Sequence, residues 1–339
     1  THGKTTTSTL ASWLNHAAAG EGSAFLGGIS RNFNSNLVLG EGKRLVVEAD
    51  EYDRSFLRLY PDVAVITATD ADHLDIYGTY EEYLKSFEQF VALIKPGGAL
   101  IMKDGLPIKP VVQEGVKIYT YSVEKGDFHA ENIRIGNGQI IYDLVSPIEC
   151  IANIELGVPV SINIDNSIGA IALAQLAGAN ADDIRSAMKS FGGVDRRFDF
   201  QIKNERHVLL SDYAHHPEEI RQSILSLREV FAGRKLTGFF QPPLYSRTND
   251  FYKEFADALS LLDEVVLTEI YPARELPMPG VTSELIFNEL RPDMQKRCCL
   301  KAELPEIVAQ GEYDVLVVHG AGDVENYMKQ FKTLIEQKS

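Results

Sequence analysis

Short β-branched runs alternate with amphipathic stretches along most of the chain, the pattern of parallel α/β layers. Arg44 to Val47 reads as a strand ending at Glu48, and Val63 to Thr67 as another ending near Asp70. Tyr80 to Ile94 has helical spacing and is closed by Lys95-Pro96-Gly97-Gly98, with a strand predicted at Ala99 to Met102. From about Lys117 to Val160 the pattern shortens into an expected antiparallel insertion, with Gly136-Asn137-Gly138 as its hairpin turn. Helix returns at Asn166 to Gly178. A second α/β series follows Phe191-Gly192-Gly193, with strands predicted at Val208 to Ser211, Leu236 to Phe240, Glu264 to Thr268 and Val315 to His319. Helices are expected at Pro217 to Phe231, Asn249 to Leu261, Thr282 to Leu290 and Val324 to Gln337. The two series meet near Asp195-Arg196-Arg197, which predicts domains at 1–195 and 196–339.

Composition narrows the class without naming a chemistry. The 339 residues are 45% hydrophobic and 24% charged, as in soluble globular proteins. A net charge of −15 argues against a nucleic-acid surface, and no basic run offsets it. No apolar run is long enough to cross a bilayer. Cys150, Cys298 and Cys299 are too few and too poorly spaced for a disulfide framework or a zinc site, and the last two read as strand or core filling. A reducing cytoplasm is the expected compartment.

Thr1-His2-Gly3-Lys4-Thr5-Thr6-Thr7 has the form of the back half of a phosphate-binding loop, G-x-x-x-x-G-K-[ST]. Gly3 admits a close backbone approach, Lys4 reaches β- and γ-phosphates, and Thr5 is placed for a metal. The helix predicted from Thr5 to Ala19 points its positive end at the anion. Taken alone, a capped helix start explains these residues equally well. The loop's first glycine and the strand before it are expected upstream of Thr1, and a further domain is also expected there. The chain as it stands is expected to bind nucleotide without completing a reaction.

Acidic residues then gather at successive strand ends. Glu48-Ala49-Asp50-Glu51 closes one, and Asp70-Ala71-Asp72-His73-Leu74-Asp75 the next, where open α/β sheets bind ligands. Each cluster by itself reads as solvated loop charge. Behind G-K-T, however, Thr5 and Glu48 make an oxygen pair suited to Mg²⁺, and His73 suits a second divalent ion, Mg²⁺ or Mn²⁺.

The ordered blocks together resemble the Mur ligase family. They are Thr1 to Thr7, Glu48 to Asp53 with Ser55-Phe56-Leu57, Asp72-His73-Leu74-Asp75, Gly193 to Phe198, Asp212-Tyr213-Ala214-His215-His216-Pro217, Phe240-Gln241-Pro242, Tyr271-Pro272-Ala273-Arg274-Glu275 and Gly320-Ala321-Gly322-Asp323. The resemblance implies a P-loop-type central ATPase domain with a mostly parallel sheet, followed by a smaller Rossmann-like α/β domain that closes on the nucleotide and binds the amino acid. It implies ATP-dependent ligation through an acyl phosphate in cytoplasmic peptidoglycan synthesis, with UDP-N-acetylmuramate and L-alanine as substrates of the alanine-adding branch. A UDP-binding domain is expected before Thr1, and a monomer or weak homodimer is expected. By matching positions, Thr1, His2, Gly3, Lys4, Thr5, Thr6, Asn166, Arg197 and Asp212 contact the nucleotide. Thr5 and Glu48 hold one metal, and Glu48 with His73 a second. Lys4, His73, Arg247, His215 and His216 carry the chemistry, Arg247 gripping the amino acid's carboxylate. His215-His216 either orients the incoming amine or caps the helix at Pro217.

Three positions depart from the family pattern. Ile162-Asn163-Ile164-Asp165-Asn166 lacks the histidine usual before the adenine contact, Pro243 replaces a histidine usual after F-Q-P, and Phe87 stands where several relatives carry a carbamylated lysine. The last fits the alanine-adding branch. Two other readings stay open: a murein-tripeptide recycling ligase, and a nucleotide-binding module without catalysis.

Overall fold

The computed structural model describes residues 2–20, 22–70 and 74–338. The chain forms two compact units, Thr1–Arg134 with Gln139–Asp195, and Ile135–Gly138 with Arg196–Ser339. Each unit is an α/β layer structure.

In the first unit the helix Lys4–Ala19 packs against the helices Ile162–Leu176 and Ala181–Ser190. Ile162–Leu176 is apolar nearly all round and is buried accordingly, as expected of a helix enclosed on every side. The single tryptophan of the chain, Trp13, fixes the second contact. Its indole Nε1 donates to Ala187 O at 3.1 Å and Ser190 Oγ at 3.2 Å, while His16 stacks on it and Phe33 meets it edge-on. The strands form separate three-stranded sheets. Ser23–Ser30 lies between Ser35–Val38, antiparallel, and Leu45–Val47, parallel. Val63–Ile66, Ala99–Lys103 and Lys117–Tyr121 pair in parallel in that order. His129–Gly136, Gln139–Val145 and Ile151–Glu155 make the third, the last two antiparallel.

The antiparallel insertion is therefore shorter than the expected 117–160, because Lys117–Tyr121 belongs to the parallel sheet. It is the edge strand of that sheet, with Lys117 and Ile118 exposed and only Tyr121 buried, so it lacks the continuous apolar run of a covered parallel strand. The helix expected from Asn166 starts at Ile162, which places Asn166 in its second turn.

The second unit is one six-stranded sheet in the order Asp199–Lys203, Val208–Asp212, Val315–His319, Leu236–Phe240, Glu264–Leu267 and Gln295–Cys298. The first pair is antiparallel and the others are parallel. Every residue of the three central strands is buried, which explains their continuous apolar character. The helix expected from Asn249 begins at Tyr245 instead, and the expected Val324–Gln337 helix divides into the 3-10 turn Asp323–Tyr327 and the helix Met328–Glu336. Cys298 is the exposed last residue of the edge strand, and Cys299 is half-buried and packs against the core of this unit.

Phe239 anchors the core of this unit, meeting Tyr313 and Phe331 edge-on at 6.0 and 5.9 Å. Truncation there leaves a cavity between strand and helix. Phe239→Ala is expected to cost about 3–5 kcal/mol, read as a lowered urea midpoint in far-ultraviolet circular dichroism with an unchanged slope.

Candidate functional site

The helix Lys4–Ala19 starts from Gly3, whose φ of 79° is left-handed, and the Thr7 amide donates to the Gly3 carbonyl at 2.9 Å. A Cβ on Gly3 would stand 2.4 Å from Asn166 Oδ1. Conformation and space thus both demand glycine here. Asn166 is buried, accepts from Thr7 Oγ1 at 3.4 Å and donates to Asn163 Oδ1 at 3.1 Å. The structure brings Asn166 against the loop turn.

One carboxylate gathers the next set of groups. Glu48, just beyond the strand Leu45–Val47, accepts from Thr5 Oγ1 at 2.8 Å, Ser8 Oγ at 3.1 Å and the Gly27 amide at 2.7 Å. A Cβ on Gly27 would lie 2.5 Å from Glu48 Oε1, so a side chain there would push the carboxylate out of its place. Lys4 Nζ pairs with the buried Glu51 and stands 3.9 Å from Asp50 Oδ1. Burial pushes the Glu51 carboxyl up, but the Lys4 hydrogen bond and nearby positive charge outweigh it and hold the group below the usual carboxylate range. Glu51 is in turn tied through its carbonyl to the Tyr77 hydroxyl at 2.5 Å. His2 is exposed, and its carbonyl accepts from Thr67 Oγ1 at 2.6 Å. Thr6 is half-buried in the first helical turn.

These groups border a cleft of about 660 Å³, whose lining includes Lys4, Thr7, Ser8, Glu48 and Glu51. Amides at a helix start, an ammonium group and a hydroxyl beside a carboxylate together suit a phosphate chain with a hard cation. Thr5 and Glu48 supply oxygen donors of the kind Mg²⁺ prefers. Among the described residues no three His, Cys, Asp or Glu side chains cluster for a metal, which leaves water and phosphate oxygens to complete such a shell. Thr1 and His73 lie outside the described residues, as does Asp72.

The second unit carries a separate set of groups at the carboxyl ends of its strands. Asp212 ends the strand Val208–Asp212, buried, and burial pushes its carboxyl up to about 6 against hydrogen bonds from Ser223 and the Ala214 and Phe198 backbone. Ser223 Oγ also lies 2.9 Å from His319 Nε2, and burial lowers the His319 imidazole to about 3, so it stays neutral. Arg197 is exposed between Arg196 and Phe198, whose φ values of 63° and 45° are both left-handed. Arg247 is half-buried in the first turn of Tyr245–Leu259; the preceding Leu244 has φ 42°, and the adjacent Ser246 donates its hydroxyl to Glu275 Oε1 at 2.5 Å. Pro243 is buried and its carbonyl accepts from Thr248 Oγ1 at 3.0 Å. His215 and His216 precede the helix Pro217–Val230, and both their amides donate to Glu219 Oε2, at 3.0 and 3.2 Å. The His215 ring bonds the Tyr213 carbonyl at 2.9 Å and the His216 ring lies against Phe251. The His215 ring is thus engaged within the helix-start turn, and the His216 ring packs against the helix Tyr245–Leu259.

Ser8 and Gly27 are site residues that motif reading passed over, as are Ser223 and His319, and Glu51 was read only as part of its acidic cluster, with no role of its own. Gly27-Gly28 inside a strand was the available signal, because paired glycines there mark a close approach. The pairing of Lys4 with Glu51 spans 47 positions and leaves no local trace.

Comparison with known proteins shows what the chain is similar to. Residues 1–174 match the Mur ligase middle domain and residues 196–322 the Mur ligase, glutamate ligase domain. The chain is 58% identical over 339 residues to the UDP-N-acetylmuramate--L-alanine ligase of Phocaeicola vulgatus, covering 100% of this chain and 74% of that protein. Against the same-named ligase of Parabacteroides distasonis it is 52% identical over 337 residues, covering 99% and 73%. Among solved structures it is similar to the UDP-N-acetylmuramate-alanine ligase MurC of Thermotoga maritima, with a TM-score of 0.82 at 26% identity, covering 100% of this chain and 74% of that one.

The raised Asp212 carboxyl has a stability consequence. The folded chain binds this proton more tightly than the unfolded chain, so stability from this group is full below about pH 4 and falls as pH rises towards 6. Two pKa units correspond to roughly 3 kcal/mol. Asp212→Asn is expected to raise the melting temperature above wild type at pH 7.5, with the gap closing near pH 4. A gap that stays constant across that range would show that Asp212 is not the group responsible.

Proposed function

The chain belongs to the Mur ligase family, and from that premise we propose that it joins L-alanine to the carboxylate of UDP-N-acetylmuramate, driven by ATP. The observation that carries this reading is the group around Gly3: a left-handed turn, Lys4 at the cleft, and Thr5 in hydrogen-bond contact with Glu48. Identity to ligases of that name over the whole chain supports the choice of substrates. Among the described residues no helix is long and apolar enough to cross a membrane. We place the reaction in the cytoplasm.

In this reading the first unit handles the phosphate chain. The amides of the Lys4–Ala19 start face the β- and γ-phosphates, and Lys4 moves from Glu51 to the phosphoryl oxygens, where its charge counts most as negative charge develops. Asp50 and Glu51 hold the ammonium at the cleft until then. A Mg²⁺ beside Thr5 and Glu48 would neutralise charge on the transferred group. The sugar carboxylate attacks the γ-phosphorus and ADP leaves. The amine of alanine then attacks the acyl carbon, and phosphate departs with the carbon–oxygen pair of electrons. In the second unit Arg247 is the group proposed to hold the carboxylate of alanine, since a guanidinium matches it bidentately. The amides of His215 and His216 bind Glu219, which favours a helix-start role for that pair.

The test is phosphate release by the full-length protein with ATP, Mg²⁺, UDP-N-acetylmuramate and L-alanine. Alanine-dependent release is expected, and release only with the murein tripeptide would move the protein to the recycling branch. Lys4→Met is expected to lower kcat about 10²–10³-fold. A separate measurement addresses the metal: Glu48→Gln keeps the shape of the group but removes its charge, so the Mg²⁺ concentration for half-maximal rate is expected to rise at least about tenfold. An unchanged Mg²⁺ requirement would remove Glu48 from that role.

A further inference from the structure

The helix Tyr245–Leu259 begins without a cap of its own. Leu244 stands at its N-cap with φ 42° and has no side-chain oxygen to offer the first amides. Those amides are met from outside the helix, by the carboxylate of Glu275 in the loop that follows Glu264–Leu267. Glu275 Oε2 accepts the Ser246 amide at 3.0 Å, Oε1 accepts the Ser246 hydroxyl at 2.5 Å, and the Tyr245 amide bonds the same carboxylate. A negative charge at a helix start gains from the helix dipole as well as from these bonds.

The block Tyr271–Glu275 takes no part in either bond-forming step, yet its backbone is laced to the residues that lead into Arg247. The Tyr271 amide donates to the Pro242 carbonyl at 2.8 Å, and the Leu244 amide to the Tyr271 carbonyl at 2.9 Å. Pro243 and Tyr271 form a parallel bridge between these bonds. The Glu275 amide then closes a turn on the Pro272 carbonyl at 2.8 Å, passing through Ala273 with φ 49°. Arg247 follows directly on Ser246. It is half-buried, and among the described residues no hydrogen bond or ion pair engages its guanidinium. Its charge still reaches Glu275, whose carboxyl is held below the usual carboxylate range by the Ser246 hydroxyl and amide first, then by the Tyr245 amide and Arg247. With its oxygens turned to Ser246, Glu275 steadies the turn that carries Arg247 and leaves the guanidinium fork open.

We infer that Glu275 is the positioning residue for Arg247: its carboxylate fixes the first turn of Tyr245–Leu259, and through that turn it sets how tightly the amino-acid substrate is held. The inference rests on the reading that Arg247 binds that substrate's carboxylate. Preorganisation is the physical gain. A guanidinium on a fixed turn meets a carboxylate with both arms without first ordering its own backbone. The benefit falls on binding of the amino acid and leaves the handling of the phosphate chain untouched.

Steady-state phosphate release by the full-length protein tests it, with L-alanine and ATP varied separately. Glu275→Gln is expected to raise KM for alanine at least about tenfold, with kcat at saturating alanine and KM for ATP within about twofold of wild type. Glu275→Asp keeps the charge but falls one methylene short, and its alanine KM is expected between those two. Ser246→Ala removes the hydroxyl donor alone. Added to Glu275→Gln it is expected to raise KM no further, because the two residues share one interaction. An alanine KM in Glu275→Gln within about twofold of wild type would overturn the inference, as would equal losses for alanine and ATP with a lowered melting temperature. A wild type without alanine-dependent release is a different failure, which removes the substrate reading and leaves the positioning to hydrogen exchange. Glu275→Gln is then expected to speed exchange of the Tyr245 and Ser246 amides at least about tenfold. Unchanged exchange at both would overturn the inference.

Discussion

Glu48 holds hydrogen bonds from a helix hydroxyl, a second hydroxyl one turn on, and a strand amide. That one carboxylate therefore ties the start of Lys4–Ala19 to the middle of Ser23–Ser30 and the end of Leu45–Val47. Its demands reach into the sequence. Residues 5 and 8 carry hydroxyls, and a side chain at residue 27 would displace the carboxylate. All three donors are neutral, so the carboxylate is held in position with its negative charge uncancelled. The neighbouring ammonium, Lys4, is instead balanced by Glu51. Charge separation across a single helical turn results, with an anion ready for a cation and a cation ready for an anion.

Much of this was legible in the order of residues. The central strands of the second unit are continuous apolar runs because both faces are covered, and Leu236–Phe240 and Val315–His319 fall where the runs fall. Lys4, Thr5 and Glu48 stand out because a phosphate loop and an acidic strand end are local patterns. Ser23–Ser30 was not legible. Its Gly27-Gly28 breaks the strand pattern for reasons that lie elsewhere, in Glu48, Thr5 and Val194. Lys117–Tyr121 misled in the opposite sense, since an edge strand exposed at its start lacks the apolar run that marks a covered parallel strand. Propensity sees neighbours in the chain, and these decisions belong to neighbours in space.

Backbone strain in the second unit gathers beside Arg197, Arg247 and Glu275. Arg196 and Phe198 flank Arg197 in left-handed conformations, and Leu244 and Ala273 adopt positive φ beside the turns holding Arg247 and Glu275. Each such residue costs on the order of 1–3 kcal/mol and persists only where its surroundings dictate it. The hydrogen bonds that do so are present: Tyr213 amide to Arg196 carbonyl at 2.6 Å, and Leu244 amide to Tyr271 carbonyl at 2.9 Å. Apart from a register shift between Phe200 and Ile202, the strands pair regularly, and these four strained residues lie at the carboxyl rim.

The position of Trp13 gives the molecule a built-in reporter. As the only indole in the chain, it is clamped between Lys4–Ala19 and Ala181–Ser190 with His16 and Phe33 around it. Its emission colour follows the wetting of that one helix seam and is blind to the six-stranded sheet of the second unit. Circular dichroism sees both. Fluorescence and dichroism melts recorded on the same sample would therefore coincide only if the two units lose their structure as a single cooperative body.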